Sequence, residues 1–243
     1  MSALAGKTIL VTGANRGLGR ALVVEALERG AGRVYAGTRQ RFEFPDERVV
    51  PVTLDVTSPA QIRAVAAMVE RLDVLVNNAG LALPVDDLSD RAALEQLLGV
   101  NLFGTYEVTQ ALLPALAGSR GAIVNILSTS VWANMPLMPG YSISKAAAFS
   151  LTQSMRAFLA ARGVRVHAAI VGVVDTDMTK AFDVPKASAE SVASRIWEGV
   201  EQDEDEIFPD PMSEVMAENW RGGAFKALER EYAALVSAEP PEG

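Results

Sequence analysis

No cysteine occurs anywhere in the 243 residues. That excludes a disulfide framework, a thiolate nucleophile and a zinc–thiolate centre. Histidine is nearly absent too. The one present, His167, cannot assemble a zinc site of the usual nitrogen and sulfur ligands by itself. It sits in the apolar, strand-like run "GVRVHAAIVG", where a packed or edge-strand side chain is expected. Positive charge is in short supply. Lys and Arg number 22 against 30 Asp and Glu, for a net charge of −8. A general nucleic-acid binder needs a basic face, so that role is disfavoured. No apolar run reaches membrane-spanning length. The opening "MSALAGKTILVTG" enters a strand-like run at once, without the layered charge and apolarity of a secretory signal. Cytoplasmic residence with neither a nucleic-acid nor a membrane partner is the expectation, although a lack of cysteine by itself suits other compartments.

What is present describes a globular domain. Hydrophobic residues make up 49% and charged residues 21%, enough to bury a sizeable core. Short apolar runs alternate with helix-period segments: strands at 7–13, 33–39, 48–56, 73–80, 121–128 and 164–171, helices at 17–30, 58–72, about 89–116 and about 141–162. The strands are continuous apolar runs, as a sheet covered on both faces requires. Strand–helix repetition predicts parallel strands with crossover helices, and the fold class is therefore α/β: a Rossmann-like, doubly wound parallel sheet with helices on both faces. No linker divides the chain, so one domain over 1–243 is expected, with a frayed tail from about 237. The acidic run "EQDEDE" (201–206) reads as a solvated helix end and turn.

Between the first strand and helix stands "TGANRGLGR". Gly13, Gly17 and Gly19 permit positive φ and close backbone approach, and the helix start behind them offers N–H groups and a positive dipole end to an anion. The spacing is G-x-x-x-G-x-G rather than the common G-x-G-x-x-G; alone it is a weak signal, and its place in the first strand–helix unit of an α/β chain makes it a moderate one. The second strand ends in "AGTRQR". Thr38 and Arg39 stand where an acid would take the ribose hydroxyl of a cofactor lacking a 2′-phosphate. Arg16 faces the same neighbourhood, and two guanidiniums suit a dianionic 2′-phosphate; the plainer alternative is a pair of solvent-facing arginines. Asp55 and Val56, after the third strand, would flank an adenine.

"GYSISKAAAFS" (140–150) puts Tyr141 and Lys145 on one helix face, one turn apart. A free phenol has a pKa of about 10 and is a poor base at neutrality. A nearby ammonium favours phenolate, and a bound nicotinamide cation would add to it. Ser128, at the end of "GAIVNILS", would hold a substrate oxygen for proton transfer, and Asn101, in "GVNLFGTYEV", would hold a water that passes the proton outward.

These residues resemble the short-chain dehydrogenase/reductase family in its single-domain form. The matching pieces are "TGANRGLG", "DV" at 55–56, "NNAG" at 77–80, Asn101, Ser128 and "YSISK" at 141–145, in order over about 7–176. The resemblance implies a catalytic tetrad of Asn101, Ser128, Tyr141 and Lys145. Tyr141 would be the acid–base and Ser128 the carbonyl holder. Lys145 would bind the nicotinamide ribose and depress the tyrosine, and Asn101 would anchor a relay water. Arginines at 16 and 39 accompany NADP(H) preference there. The implied cofactor contacts run through Gly13, Asn15, Arg16, Gly17, Leu18, Gly19, Thr38, Arg39, Asp55, Val56, Asn78, Ala79, Gly80, Tyr141, Lys145, Gly172, Val174 and Thr176, with no metal.

Three departures stand out. Val171-Gly172 replaces the family's usual proline-glycine. "RQRFEFPDE" is too short for a full helix, which opens the adenosine side. The stretch after Thr176, "DMTKAFDVPKASAE", is short, which implies a shallow pocket. "TSVWANMPLMPGY" offers Trp132, Met135, Leu137 and Met138 as an apolar substrate wall, with Phe182 as a cap and Leu81, Leu83 and Pro84 opposite; the same residues would equally pack under the loop or at a subunit contact. The expected activity is NADPH-dependent reduction of an apolar carbonyl compound, reversible as secondary-alcohol oxidation. The alternatives are an NAD-linked dehydrogenase of this family and an NADP(H)-binding redox sensor without turnover. A homodimer or homotetramer is expected from apolar helices at 100–116 and 141–162. "FKALEREYAALVSA" would either extend the assembly or pack on its own domain.

Overall fold

The computed structural model describes residues 3–40, 42–83 and 88–237. Pro84 and the tail beyond Ser237 lie outside the described residues. Seven strands form one sheet: β1 (Thr8–Thr12), β2 (Arg33–Thr38), β3 (Val49–Thr53), β4 (Val74–Asn77), β5 (Ala122–Ile126), β6 (Arg165–Ala169) and β7 (Glu206–Ile207). The order is β3-β2-β1-β4-β5-β6-β7 and every pairing is parallel, as the continuous apolar strands predict. β7, only two residues long, gave no pattern to read.

The helices are α1 (Gly17–Glu28), α2 (Pro59–Met68), α3 (Arg91–Leu98), α4 (Thr105–Ser119), α5 (Pro139–Ala160), α6 (Ala189–Glu201), α7 (Pro211–Arg221) and α8 (Ala224–Ser237). α1 and α6 cover one face of the sheet through Leu22, Val23, Ile196 and Trp197. α2, α4 and α5 cover the other through Ile62, Val65, Leu112, Leu116 and Met155. Ser58 caps α2, and Pro59 opens it, as expected from their preferences at those positions. The helical region predicted over 89–116 is two helices joined by a π-helical stretch, Gly99–Gly104. A Cβ at Gly104 would lie 2.7 Å from Val56 Cγ2, so the chain is drawn tightly onto the end of the third strand there.

The acidic run is a helix end and turn, as read, with Gln202, Asp203 and Asp205 exposed; the expectation is corrected only at Glu204 and Glu206. Glu204 pairs with Arg195 at 2.7 Å and with Arg221 at 2.8 Å, and Glu206 is buried in β7 against Arg156 and Lys226, at 2.8 and 2.9 Å. These cations are far away in sequence, so charge spacing alone could not reveal them. α8 does not pack its apolar stripe on its own domain. Phe225, Leu228, Tyr232 and Leu235 are exposed, while Lys226 is the buried residue and Glu229 meets Arg156. His167 is buried, as read, with Nδ1 2.7 Å from the Glu204 carbonyl oxygen. Among the described residues no helix is long and apolar enough to cross a membrane.

Candidate active site

β1 and β4 are neighbours, but the chain leaves them toward opposite sides of the sheet. That reversal opens a crevice at the strands' C-terminal ends, the usual ligand position in such sheets. The glycine turn borders one side of it and "NNAG" the other. Thr12 ties them together: its Oγ accepts from the Asn78 and Ala79 amides at 3.0 and 2.9 Å and donates to the Val76 carbonyl at 3.3 Å. The Asn78 side chain donates to the Thr12 and Gly13 carbonyls at 2.9 and 3.2 Å, so it holds the turn in shape. Gly19 has to be glycine, because a Cβ would lie 2.2 Å from the Gly13 carbonyl oxygen. Gly17 has φ +50° and would set a Cβ 3.1 Å from Thr176 Cγ2, which puts the turn after β6 beside the glycine turn.

α1 begins at Gly17, with Arg16 at the N-cap making no side-chain cap bond. The starts of α2, α3, α6 and α7 are capped by Ser58, Asp90, Ser188 and Asp210. A glycine-lined helix start left without a side-chain cap at this crevice fits a bound pyrophosphate. Around it, Asn15, Arg16 and Arg39 are exposed. Arg16 Nη1 pairs with Asp177 Oδ2 at 2.7 Å. Asp55 accepts from the Thr57 amide and hydroxyl at 2.9 and 2.7 Å, and those bonds, with Arg39 nearby, hold its carboxyl below the usual range. Leu18 is in the core, Thr38 Oγ donates to the Gln40 carbonyl, and Val56 packs on Gly104. Val174 bridges to Ala187.

The reacting end lies beyond β5. Ser128 caps the short 3-10 turn Thr129–Val131, accepting from the Ser130 amide at 3.2 Å and the Ser130 hydroxyl at 3.1 Å. Tyr141, in the first turn of α5, is hydrogen-bonded to Ser128. Lys145 is buried, its Nζ 5.8 Å from the centroid of the tyrosine ring, and it donates to the Ile126 carbonyl at 2.8 Å. Asn101 comes in from the π-helical stretch. Its Oδ1 accepts from the Leu81 amide at 2.8 Å, and its Nδ2 donates to the Leu81 carbonyl and Ser144 Oγ at 2.9 and 2.8 Å. Both amide hydrogens are thus committed to the protein, which leaves its side chain nothing to donate to a relay water. Gly80 closes the group: a Cβ there would be 3.4 Å from Asn101 Oδ1 and 3.7 Å from Lys145 Nζ. A buried polar ladder runs beneath. Asn77 donates to Thr109 and Asn125 at 3.0 and 2.9 Å, and Asn125 to Thr152 at 2.9 Å, joining α4 and α5 across the sheet.

Burial dominates the electrostatics of the pair. Burial pushes the Tyr141 phenol up to about 12, against a smaller opposing pull from the Ser128 hydrogen bond. Burial likewise pushes the Lys145 ammonium down to about 8. Removal from water disfavours both charged forms, and the ammonium, bonded to Ile126, does not overcome that for the phenol. A consequence is measurable. Between about 8 and the ordinary value of 10.5, the unfolded chain holds a proton at Lys145 that the folded chain has released. Stability therefore rises with pH across that window. Denaturant midpoints of the native chain should climb there relative to Lys145→Met, and parallel curves would refute the buried ammonium.

Thr12, Asn77, Ser144 and Asn125 were not singled out from the sequence as site residues. The usable signal was a polar residue inside an otherwise apolar strand, as in "ILVTG", "VLVNN" and "AIVNI".

A family model described as short chain dehydrogenase matches residues 7–186. The chain belongs to the short-chain dehydrogenase family. A 3-oxoacyl-[acyl-carrier-protein] reductase, FabG, of Thermotoga maritima is 34% identical over 210 residues, spanning 79% of this chain and 83% of that protein. A short chain dehydrogenase from Burkholderia cenocepacia J2315, solved in complex with NADP, superposes with a TM-score of 0.85 at 36% identity, covering 95% of this chain and 99% of the other. Thermoplasma acidophilum aldohexose dehydrogenase gives 0.71 at 26% identity, over 80% and 87%.

Within this short-chain dehydrogenase the expected substrate wall is only partly a wall. Of the two readings of Trp132, its contacts favour packing. Its ring lies 5.0 Å from Trp220, 5.9 Å from Phe149 and 5.9 Å from Phe208, between the post-β5 loop and α7. Met138 is buried at the start of α5, whereas Met135 and Leu137 are exposed and Phe182 is half-buried. Two of the three aromatic partners, Phe208 and Trp220, come from residues after 200, so local apolarity could not tell wall from support.

Proposed function

We propose that this single-domain short-chain dehydrogenase is an NADPH-dependent carbonyl reductase, working in reverse as a secondary alcohol dehydrogenase. The observation that carries the reading is the meeting of Tyr141 with Ser128 and Lys145 beyond β5. A phenol protonated at neutral pH can give its proton to a carbonyl oxygen that gains negative charge as hydride arrives, and the burial that makes that proton harder to release is what a charged Lys145 has to offset. When bound, the cofactor supplies the hydride. Ser128 Oγ fixes the carbonyl oxygen, and Tyr141 Oη gives it a proton. Lys145, with hydrogens beyond the one given to Ile126, holds the ribose and steadies the phenolate left behind. Asn101 positions Leu81 and Ser144. Alcohol oxidation needs the phenolate, hence the extra positive charge of an oxidised nicotinamide beside it.

NADP(H) rather than NAD(H) is supported by Arg16 and Arg39 at the open adenosine end, by the absence of an acid after β2, and by the NADP complex of the Burkholderia relative. A hydrogen bond to a charged group is worth about 1.5–3 kcal/mol. Arg16→Ala and Arg39→Ala should each cut kcat/KM for NADPH about tenfold or more and leave NADH use nearly unchanged. Equal losses with both cofactors would overturn the phosphate assignment and favour the NAD-linked reading. The substrate is an apolar carbonyl compound, and a ketone, aldehyde and 3-oxoacyl panel would define it. Exposed Phe103, Tyr106, Ile143 and Phe158 support pairing of α4 and α5 in a homodimer, and the exposed stripe of α8 offers a second face for a tetramer.

A further inference from the structure

The turn after β6 has lost the ring restraint of the family's usual proline, since Val171 precedes Gly172. A different restraint takes hold there. Asp210, before α7, is buried. Its Oδ1 accepts from the Met212 and Ser213 amides, both at 3.0 Å, which caps α7. Its Oδ2 accepts from the Ser213 hydroxyl at 3.0 Å and, across 38 residues, from the Gly172 amide at 2.8 Å. The fit is close: a Cβ on Gly172 would lie 2.4 Å from Asp210 Oδ1 and 2.9 Å from Met212 Cβ. One carboxylate therefore does two things, capping a helix and hooking a turn.

The hook has neighbours on both sides. The Val171 carbonyl accepts from the Thr129 amide at 3.1 Å, and Thr129 follows Ser128. Downstream, Thr176 abuts Gly17 of the glycine turn. The Gly172 turn thus lies in the chain between a hydrogen bond to the shoulder of Ser128 and a contact with the phosphate-binding turn. The far end of α7 attaches to the same region, with Trp220 5.0 Å from Trp132, just after the 3-10 turn that Ser128 caps.

We infer that Asp210 is a positioning residue for the reaction: through Gly172 it sets the post-β6 turn against Ser128 and the glycine turn, and so couples the C-terminal helices to the reacting end. The inference rests on the proposed reductase reading. A buried backbone amide is ordinarily partnered. Removing the hook frees the turn to shift, and a small misplacement of this kind costs about 10- to 100-fold in rate.

Asp210→Ser separates the two tasks. Serine is a good N-cap, but its one short hydroxyl cannot cap α7 and also reach Gly172. The expected result is kcat for carbonyl reduction lowered about tenfold or more, with a helical circular dichroism signal and a melting temperature lowered less than in Asp210→Ala. Asp210→Ala should lose as much kcat and also melt earlier, since the cap goes too. If capping were the only role, Asp210→Ser would keep native kcat, and that result would overturn the inference. If Asp210→Ser fails to fold, amide exchange in the native chain decides. Protection of the Gly172 amide comparable to β6 supports the hook, and exchange as fast as an exposed loop overturns it. A Tyr141→Phe chain with undiminished turnover would instead sink the reductase reading beneath it, so the two failures are distinguishable.

Discussion

Tyr141→Phe is expected to lower kcat for carbonyl reduction by about 10²–10⁴-fold, the usual contribution of a positioned general acid. The substitution removes one hydroxyl and nothing else. The ring stays against Lys145, Lys145 keeps its bond to the Ile126 carbonyl, and Ser128 keeps its bonds from Ser130. NADPH affinity should therefore hardly move, because the glycine turn, shaped by Thr12 and Asn78, does not depend on the phenol. Single-turnover kinetics with a fluorescence titration of NADPH would separate the two quantities. A native chain that binds NADPH tightly, turns over no carbonyl in a broad panel and is indifferent to Tyr141→Phe would be a nucleotide sensor instead.

The second large effect concerns stability. Lys226 is buried and lies 2.9 Å from Glu206, 3.0 Å from Asp205 and 3.1 Å from Glu229. Arg156 shares Glu206 and Glu229 from the α5 side. Lys226→Met would leave three carboxylates with one guanidinium, and Glu206 has no route to water. Breaking a buried pair from one side costs about 3–5 kcal/mol. The same principle says that replacing both partners with apolar residues of similar size is much milder. Urea unfolding should then show a large loss for Lys226→Met and substantial recovery in Lys226→Met with Glu206→Leu. A double variant no more stable than the single one would show that the pair is not the unit that matters. Since α8 is held by this buried cluster and turns Phe225, Tyr232 and Leu235 outward, the single variant should also disturb any assembly through that helix.

The two effects fall on opposite sides of what could be read from the chain. The Tyr141–Lys145 pair was legible because helix periodicity is local: four residues set the two on one face wherever the helix goes. The parallel sheet was legible for a related reason, since unbroken apolar strands demand cover on both faces. The ion cluster was not, because Arg156, Glu206, Lys226 and Glu229 belong to three elements whose meeting no spacing encodes. Asp210 escaped notice the same way. Its cap is a local feature of "DPMS", but its hold on Gly172 reaches across α6 and β7.

By itself the sequence determined the kinds of group available and their order: a glycine-rich turn, arginines where an acid would otherwise stand, a tyrosine one turn before a lysine, and no thiol or second imidazole to offer other chemistry. Only the tertiary structure decided their charge states and duties. Burial depends on everything packed around a group, and here it pushes the phenol up and the ammonium down. The fold commits the Asn101 amide hydrogens to Leu81 and Ser144 and sets Trp132 against Trp220. A residue's chemistry is carried in its own atoms, but whether it is charged, occupied or free depends on neighbours that the fold brings from elsewhere in the chain.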